Sequence, residues 1–215
     1  MHRLEQLRTW LAATLPGQSF ELAPASADAS FRRYFRATFA DGSPSRVVMD
    51  APPEKEDVRP WLHVAGLFGA AGAHVPEVLA QDLDQGFLLL SDLGSTTYLA
   101  DLTSHNADAH YRAALDALIH IQLASRPDEL PAYDRVLLKR ELDLFPDWYL
   151  TKHVKIALTE SQSSQLAAVF EKILAVNLAE PGVYVHRDYH SRNLMVTEPN
   201  PGIIDFQDAV YCPIT

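Results

Sequence analysis

One polar segment between apolar runs constrains the fold more than any other part of this sequence. Residues 183–196 read VYVHRDYHSRNLMV, and a further apolar run, IID, occupies residues 203–205. Short apolar runs with turn residues between them are typical of buried strands. The segment therefore predicts a strand, a polar loop, a second strand, a turn at EPNPG and a third strand that ends at Asp205.

The spacing of the polar residues in this loop points to phosphoryl transfer. His186, Arg187, Asp188 and Asn193 spell H-R-D-x-x-x-x-N, and Asp205 follows at the end of the next apolar run. Phosphoryl transfer needs a carboxylate to accept the proton of the attacking hydroxyl, and oxygen ligands for Mg²⁺. The pattern predicts Asp188 as the catalytic base and Asn193 and Asp205 as metal ligands. Each residue alone is equally typical of an ordinary turn.

A zinc site is a second reading of the same loop. His186 and His190 lie four positions apart, as the two histidines of a zinc protease do. That pattern, however, is H-E-x-x-H on a helix, and position 187 is arginine. The sequence therefore does not favour zinc.

Charge and cysteine content disfavour several classes of protein. Acidic side chains outnumber basic ones, 28 to 18, and the formal net charge is −10. Nucleic acids and anionic membranes carry dense negative charge, so we expect binding to neither. The single cysteine cannot form an internal disulfide. Leu4, Leu7, Leu11 and Leu15 recur at helical spacing, unlike the unbroken apolar core of a secretory signal. These features predict an amphipathic first helix in a cytoplasmic protein.

The predicted elements divide the chain near residue 95. Strands are predicted at residues 20–24, 32–40, 46–50, 75–82 and 86–94, with a helix at 57–72 that Asp57 caps. Helices are predicted after that point, at 109–124, 137–154 and 161–179, with a new turn or a kink at Pro146 in the second of them. The sequence thus predicts an α+β fold, with a small antiparallel-sheet lobe at residues 1–94 and a mostly helical lobe at 95–215.

A second histidine in the loop, His190, carries a family resemblance. The form H-x-D-x-H-x-x-N resembles the aminoglycoside phosphotransferase and choline kinase family of small-molecule kinases, and the resemblance covers nearly the whole chain. It implies a protein-kinase-like fold of two lobes, ATP as co-substrate and Mg²⁺ as cofactor. Within that family, DASFRRYFR, VVMDAPPE, ELDLFPDWYL and IIDFQDAVY look most like the bacterial sugar kinases of cell-wall recycling. The implied acceptor is the anomeric hydroxyl of N-acetylmuramate or N-acetylglucosamine.

The resemblance also implies where the nucleotide binds. FLLLSDLG, residues 87–94, is similar to the family's hinge, whose backbone holds the adenine, so Leu90, Asp92 and Leu93 are assigned to the nucleotide. The family's glycine-rich loop is replaced by SADASFRRYF, residues 26–35. We infer that Ser30, Phe31 and Arg32 cover the phosphates in its place.

One expected residue is missing. The strand RVVMD should carry the lysine that binds phosphate, but Met49 or Asp50 occupies that region. Arg32 or Arg33 is a candidate source of the missing positive charge. Both are equally well explained as solvated charges on a hairpin.

The acceptor site is assigned to residues further along the chain. In ELDLFPDWYL, Glu141, Phe145 and Trp148 share one helical face, and a carboxylate beside an aromatic ring suits a sugar. The same stripe is also typical of a core, which is the preferred reading for Phe145. Glu141 and Trp148 are therefore assigned to substrate, together with His190 and Arg192 of the polar loop.

Alternatives remain open at this point. The sugar is the favoured acceptor, and another small alcohol, such as an aminoglycoside, choline or homoserine, is the alternative. The missing lysine also favours a nucleotide-binding module without catalysis. Members of the family continue past the metal-binding aspartate with further helices, which implies a helical lobe that is incomplete at Thr215. We expect the protein to be a monomer whose partners are ATP and a small sugar.

Overall fold

A computed structural model describes residues 2–26 and 31–214. The chain forms two compact units: residues 1–120 with 188–208, and residues 121–187 with 209–215. Residues 95–120 and the polar loop thus belong with the sheet, and the lobe boundary at residues 94 and 95 stays a prediction.

A five-stranded antiparallel sheet dominates the first unit, as the sequence predicts. Its strands are β1 (Phe20–Ser26), β2 (Arg33–Phe39), β3 (Arg46–Asp50), β4 (Val78–Asp82) and β5 (Phe87–Ser91), in the spatial order β1-β2-β3-β5-β4. The turns between β2 and β3 and between β4 and β5 contain Gly42 and Gly86, both at positive φ. Glycine adopts that conformation without a steric penalty, which explains the tight connections.

The back face of the sheet is covered by helix α1 (His2–Thr14). Phe35, Val48 and Leu89 stand opposite one another on β2, β3 and β5. Val48 and Leu89 pack with the helix side chains Leu7 and Leu11, which are fully buried. The predicted amphipathic first helix is therefore part of the hydrophobic core.

Successive side chains of each strand point to opposite faces of the sheet, so the neighbours of the back-face residues form the front face. Arg36, Val47 and Leu90 form one cross-strand row, and Tyr34, Met49 and Leu88 form the next. Helix α2 (Arg59–Ala70) carries Trp61 and Phe68, whose rings lie 5.1 and 5.9 Å from that of Phe206. This aromatic group ties α2 to the turn that follows Asp205.

Helix α2 begins later than the sequence indicates. Its N-cap is Val58, which provides no side-chain cap, and not Asp57. The Asp57 carboxylate accepts a hydrogen bond from the Arg59 backbone N–H at 3.0 Å instead, one position outside the helix. Pro60 lies in the first turn, where its missing N–H costs nothing.

The remaining elements of the first unit are short, apart from helix α4 (Ala107–Leu123), which continues into the second unit. Helix α3 (Tyr98–Asp101), which was not predicted, is capped by the hydroxyl of Thr97. Strands β7 (Leu194–Met195) and β8 (Gly202–Ile203) form a two-stranded ribbon. Bridges from His74 to Gly202 and from Thr97 to Met195 connect this ribbon to the sheet side of the unit.

Besides the end of α4, the described part of the second unit, residues 121–187 and 209–214, contains three helical segments and one ribbon. They are α5 (Arg135–Leu144), a π-helix (Phe145–Val154), α6 (Glu160–Asn177) and the antiparallel pair β6 (Gly182–Val185) and β9 (Val210–Pro213). The segment predicted to be helical at 137–154 is helical, and it changes from an α-helix to a π-helix at Phe145. The helix type changes next to Pro146, which lacks the N–H that an α-helix needs.

Strand β9 was not predicted, and it carries Cys212. This residue is buried and stands opposite Val183 of β6.

Across residues 2–26 and 31–214, no helix combines the length and apolar character needed to cross a membrane.

Candidate functional site

A cavity of about 460 Å³ lies within the first unit. One wall comes from the front face of β1, β2 and β3, and a second from residues 90–95 at and beyond the end of β5. The third wall contains Asn193, Asp205 and Phe206. Of the residues predicted from sequence, Leu90, Asp92, Leu93, Arg192, Asn193 and Asp205 line this one cavity.

The polar loop is shaped by its own backbone. The His190 N–H donates to the Asp188 carbonyl at 3.0 Å, and the Asn193 N–H donates to the His190 carbonyl at 2.9 Å. The Asn193 side-chain amide also donates to the Asp188 carbonyl at 3.1 Å. These bonds fold residues 188–193 into consecutive turns and leave the Asp188 side chain exposed.

Asp205 is brought to the same place by the β7–β8 ribbon. The Ile204 N–H donates to the Asn193 carbonyl at 3.1 Å, and Asp205 itself adopts φ +62°. Its carboxylate accepts from the Asn193 amide at 3.4 Å and from the Gln207 amide at 3.0 Å. A non-glycine residue at positive φ is uncommon and is maintained only where the surroundings hold it.

The donor set of Asn193 and Asp205 fits Mg²⁺. A carboxylate and an amide oxygen are the hard ligands that this ion takes. Within residues 2–26 and 31–214, Asp205 forms no ion pair, so its charge is available to a cation. The same part of the chain contains no group of three or more histidine, cysteine, aspartate or glutamate side chains arranged to hold a metal.

The opposite end of the cavity is built around Asp92. Arg36 donates to both its carboxylate oxygens, at 2.6 and 3.0 Å, and also to the Gly94 carbonyl at 2.8 Å. The Ser45 hydroxyl and the Gly94 N–H complete the shell, at 2.7 and 2.9 Å. The segment that the resemblance assigns to adenine is therefore fixed to β2 by a bidentate ion pair.

The titration of this pair follows from its surroundings. Burial by itself raises the pKa of Asp92, but hydrogen bonds from Arg36, Ser45 and Gly94 outweigh it, and the pKa lies below its ordinary value. The hydrogen bond to Asp92 raises the pKa of Arg36. Both groups are therefore charged at neutral pH, and the positive charge of Arg36 neutralises the negative charge of Asp92.

The position of the expected lysine is apolar. Met49 belongs to the front face with Tyr34 and is fully buried. Asp50 points to the other face, also fully buried, where Arg3 donates to it at 2.7 Å and Arg33 pairs with it. Arg33 is thus engaged by a buried carboxylate.

The residues predicted to cover the phosphates are placed only in part. Ser30 lies outside the described residues. Phe31 is exposed and stacks with the Lys55 ammonium at 5.1 Å, while Arg32 is buried and pairs with Glu56 at 3.6 Å. Neither Phe31 nor Arg32 is among the described residues that line the cavity.

Two predicted substrate residues belong to the second unit. Glu141 of α5 lies 4.0 Å from the Arg187 guanidinium, and Arg187 adopts φ +73° next to Asp188 in the chain. Trp148 is 58% exposed in the π-helix, and the Lys152 ammonium lies 3.5 Å from its ring centre. Trp148 is therefore not part of a core stripe, and its role stays a prediction.

The sequence patterns did not predict two residues of the site, Arg36 and Gln207. Arg36 lies two positions from Tyr34 in β2, so the strand pattern places both side chains on the same face of the sheet. Its partner Asp92 is 56 positions away, which no local pattern indicates. Gln207 bridges Asp205 and Asp208 through its amide, at 3.0 and 3.1 Å. The glutamine falls in an irregular turn, where no periodicity predicts a direction.

Comparison with known proteins identifies close relatives. The chain is 51% identical over 223 aligned positions to the N-acetylmuramate/N-acetylglucosamine kinase of Pseudomonas aeruginosa, and 46% identical over 219 to that of Neisseria meningitidis. The alignments cover 99% and 100% of this chain. They cover 65% of each relative, so the chain spans about two thirds of their length.

Solved structures show the same fold at low sequence identity. A choline/ethanolamine kinase family protein from Mesorhizobium loti matches with a TM-score of 0.62 at 16% identity, covering 97% of this chain and 66% of that one. An aminoglycoside phosphotransferase in complex with AMP-PNP and hygromycin B matches with a TM-score of 0.60 at 15% identity, covering 96% and 72%. The predicted kinase-like α+β fold is thereby confirmed.

The family assignment extends across the sheet, the polar loop and the cavity. Residues 21–215 match the phosphotransferase enzyme family as a whole. The resemblance first carried by His190 and the loop spacing is confirmed, and this chain belongs to the phosphotransferase enzyme family.

Proposed function

We propose that this chain is the nucleotide-binding and catalytic part of an ATP-dependent sugar kinase, which phosphorylates N-acetylmuramate and N-acetylglucosamine at the anomeric hydroxyl. The observation that carries the proposal is the cavity that joins residues 90–94 to Asn193 and Asp205. The identity of the sugar is inferred from two relatives, at 46% and 51% sequence identity, that are named N-acetylmuramate/N-acetylglucosamine kinases.

Each end of the cavity has its own task in this proposal. Backbone groups of residues 90–94 hold the adenine, and the Arg36–Asp92 ion pair keeps that segment in place. Asn193 and Asp205 hold Mg²⁺, which supplies positive charge to the transferring phosphoryl group. The Asn193 side-chain amide donates to the Asp188 backbone carbonyl and to the Asp205 carboxylate, which supports a fixed distance between the backbone of the proposed base and the proposed metal ligands.

Asp188 acts as the base in the chemical step. Its carboxylate accepts the proton of the anomeric hydroxyl while that oxygen forms a bond to the γ-phosphorus of ATP. The bond from the γ-phosphorus to the bridging oxygen breaks, and ADP leaves. An anomeric hydroxyl is more acidic than the other hydroxyls of a sugar, so an exposed carboxylate is a sufficient base.

Several finer features belong to the same proposal. We expect the protein to act in the cytoplasm as a monomer, with ATP and a small sugar as its partners. The net charge of −10 argues against nucleic-acid and anionic-membrane partners.

One observation favours a second candidate function. Met49, fully buried, stands where the family's phosphate-binding lysine is expected. A nucleotide-binding module without catalysis is compatible with that substitution. It predicts ATP binding with no turnover on any sugar.

The decisive experiment is phosphorus NMR on the product of incubation with Mg²⁺-ATP and each sugar. The proposal expects a phosphate ester at C1, formed far more slowly by the Asp188→Asn variant than by the parent. Phosphate at C6, or transfer only to a non-sugar alcohol, would contradict the anomeric assignment. ATP binding with no product from either sugar would favour the second candidate.

A further inference from the structure

A cavity that receives the phosphates of ATP needs positive charge besides its metal. Oriented cationic groups at the transferring phosphoryl contribute a large part of the rate in such enzymes. At the lysine position this chain has Met49, whose side chain is fully buried and apolar. The charge must come from another element.

Three arginines at or in strand β2 are already engaged by carboxylates. Arg33 pairs with the fully buried Asp50, and Arg32 pairs with Glu56 at 3.6 Å. Arg36 does line the cavity, but Asp92 binds it in a bidentate pair. Each of these guanidinium groups has its charge offset before any ligand enters.

Arg192 differs from the other three. It lines the cavity, it is exposed, and it directly precedes Asn193 in the chain. Asn193 lies within 3.4 Å of Asp205, so Arg192 belongs to the metal end of the cavity and not to the adenine end. Within residues 2–26 and 31–214, Arg192 has neither an ion pair nor a side-chain hydrogen bond.

The backbone holds the polar loop around Arg192 in place. The Leu99 N–H donates to the Ser191 carbonyl at 2.9 Å, one position before it. Leu194, two positions after it, begins β7 and is buried. The side chain is long, but its backbone is fixed on both sides. From this fixed backbone, a planar guanidinium can deliver two donors to phosphate oxygens, and it loses less freedom for each hydrogen bond formed than an ammonium does.

We propose that Arg192 binds the β- or γ-phosphate of ATP and supplies the positive charge that the missing lysine does not provide. This inference rests on the proposed function, because it assumes that the cavity holds ATP. It replaces the sugar, the ligand that the sequence predicted for Arg192, with the nucleotide.

Lys55 is the rival source of charge. It is exposed and lies over the ring of Phe31, close in sequence to the strand end at Asp50. It is not among the described residues that line the cavity. If Lys55 performs this task, its removal must have the effect that we assign to Arg192.

The test compares Arg192→Met, Arg192→Lys and Lys55→Met with the parent protein. Arg112→Met serves as the control, because Arg112 is an exposed arginine of α4 paired with Asp108. Isothermal titration measures the dissociation constants of ATP, ADP and adenosine, each in the presence of Mg²⁺. Adenosine lacks phosphates and therefore reports on the adenine end alone.

We expect Arg192→Met to weaken ATP binding roughly tenfold to a hundredfold, the range for a lost charged hydrogen bond. Adenosine binding should change by less than about twofold, and Arg192→Lys should recover part of the loss. Raising the salt concentration should weaken ATP binding less in Arg192→Met than in the parent.

Three results would overturn the inference. Unchanged ATP affinity in Arg192→Met, with ATP bound by the parent, removes Arg192 from this role and leaves the kinase proposal intact. Loss of ATP affinity in Lys55→Met alone transfers the role to Lys55. A parent protein that binds no nucleotide defeats both the inference and the proposed function.

Discussion

The three aspartates of the candidate site, Asp92, Asp188 and Asp205, have different surroundings. Asp92 is 5% exposed and receives four hydrogen bonds from Arg36, Ser45 and Gly94. Asp205 accepts from two neutral amides, which orient it without offsetting its charge. The Asp188 side chain is exposed in a loop whose backbone is fixed. Their surroundings favour a structural role, a metal ligand and a base, respectively.

Replacement of Asp188 by asparagine separates binding from chemistry. We expect turnover to fall by a factor on the order of a hundred to ten thousand, since proton acceptance matters only in the chemical step. The dissociation constant of ATP should stay within about threefold of the parent. Steady-state kinetics and nucleotide titration measure the two quantities. Turnover within about threefold of the parent would remove Asp188 from the role of base.

The Asp92→Asn variant tests the ion pair at the adenine end. At neutral pH we expect the free energy of unfolding to fall by about 1–3 kcal/mol, because charged hydrogen bonds are replaced by weaker ones. Chemical denaturation of both proteins measures the difference.

The pH dependence of that difference has a fixed sign. The pKa of Asp92 is lowered in the folded protein. Its contribution is therefore present above the ordinary carboxyl pKa of about 3.9 and is lost as the pH falls through the lowered folded value. Parent and variant should converge in stability in that acidic range. A difference that grows as the pH falls would contradict this account of the pair.

At the scale of elements, two tight turns look alike in sequence but differ in their surroundings. Gly42 and Gly86 both adopt positive φ, at +80° and +69°. A Cβ at Gly42 would meet nothing within 4 Å, whereas one at Gly86 would lie 1.9 Å from the Ala51 carbonyl oxygen. That carbonyl belongs to backbone just after β3, which cannot move aside without disturbing the centre of the sheet.

The two glycines form a matched pair of substitutions. We expect Gly42→Ala to cost about 1–2 kcal/mol, the penalty of the left-handed backbone alone. Gly86→Ala should cost several kcal/mol, or prevent folding, since a backbone clash is added. Thermal unfolding of both variants measures the difference. Equal losses would show that the approach of Gly86 to Ala51 is unimportant.

Elements were predictable where one periodicity extends through them. The five strands and helices α4 and α6 alternate or repeat over enough residues to be recognised, and the structure contains them near the predicted bounds. Helix α3 and strand β9 have four residues each, too few for a period to emerge. The change to a π-helix at Phe145 depends on Pro146, and the sequence indicated that a break occurs there but not its type.

At the scale of the whole molecule, sequence spacing indicated which residues of the polar loop and the β8 end lie close together, and their catalytic and metal-binding roles stay predictions. Asp188, Asn193 and Asp205 follow a pattern set by chain distance, and the structure brings them together. Arg36 and Asp92 come together only through sheet pairing, which single-sequence spacing does not encode. Glu141 and Trp148 belong to the second compact unit, and their roles stay predictions.

The reactivity of the buried Cys212 thiol can be used to measure local opening of the β6–β9 ribbon. Its thiol is buried in the β6–β9 ribbon, and burial raises its pKa, so the native protein should react slowly with an aromatic disulfide reagent. We expect labelling at least about a hundredfold slower than in denaturant, which corresponds to an opening free energy of about 3 kcal/mol. Strand β6 precedes Arg187 and Asp188 in the chain, so the labelling rate reports the opening of the strand that comes before the polar loop. A ligand that stabilises the closed ribbon should slow the reaction as its occupancy rises, and the rate thus provides a binding assay that requires only the thiol reagent and no substrate turnover.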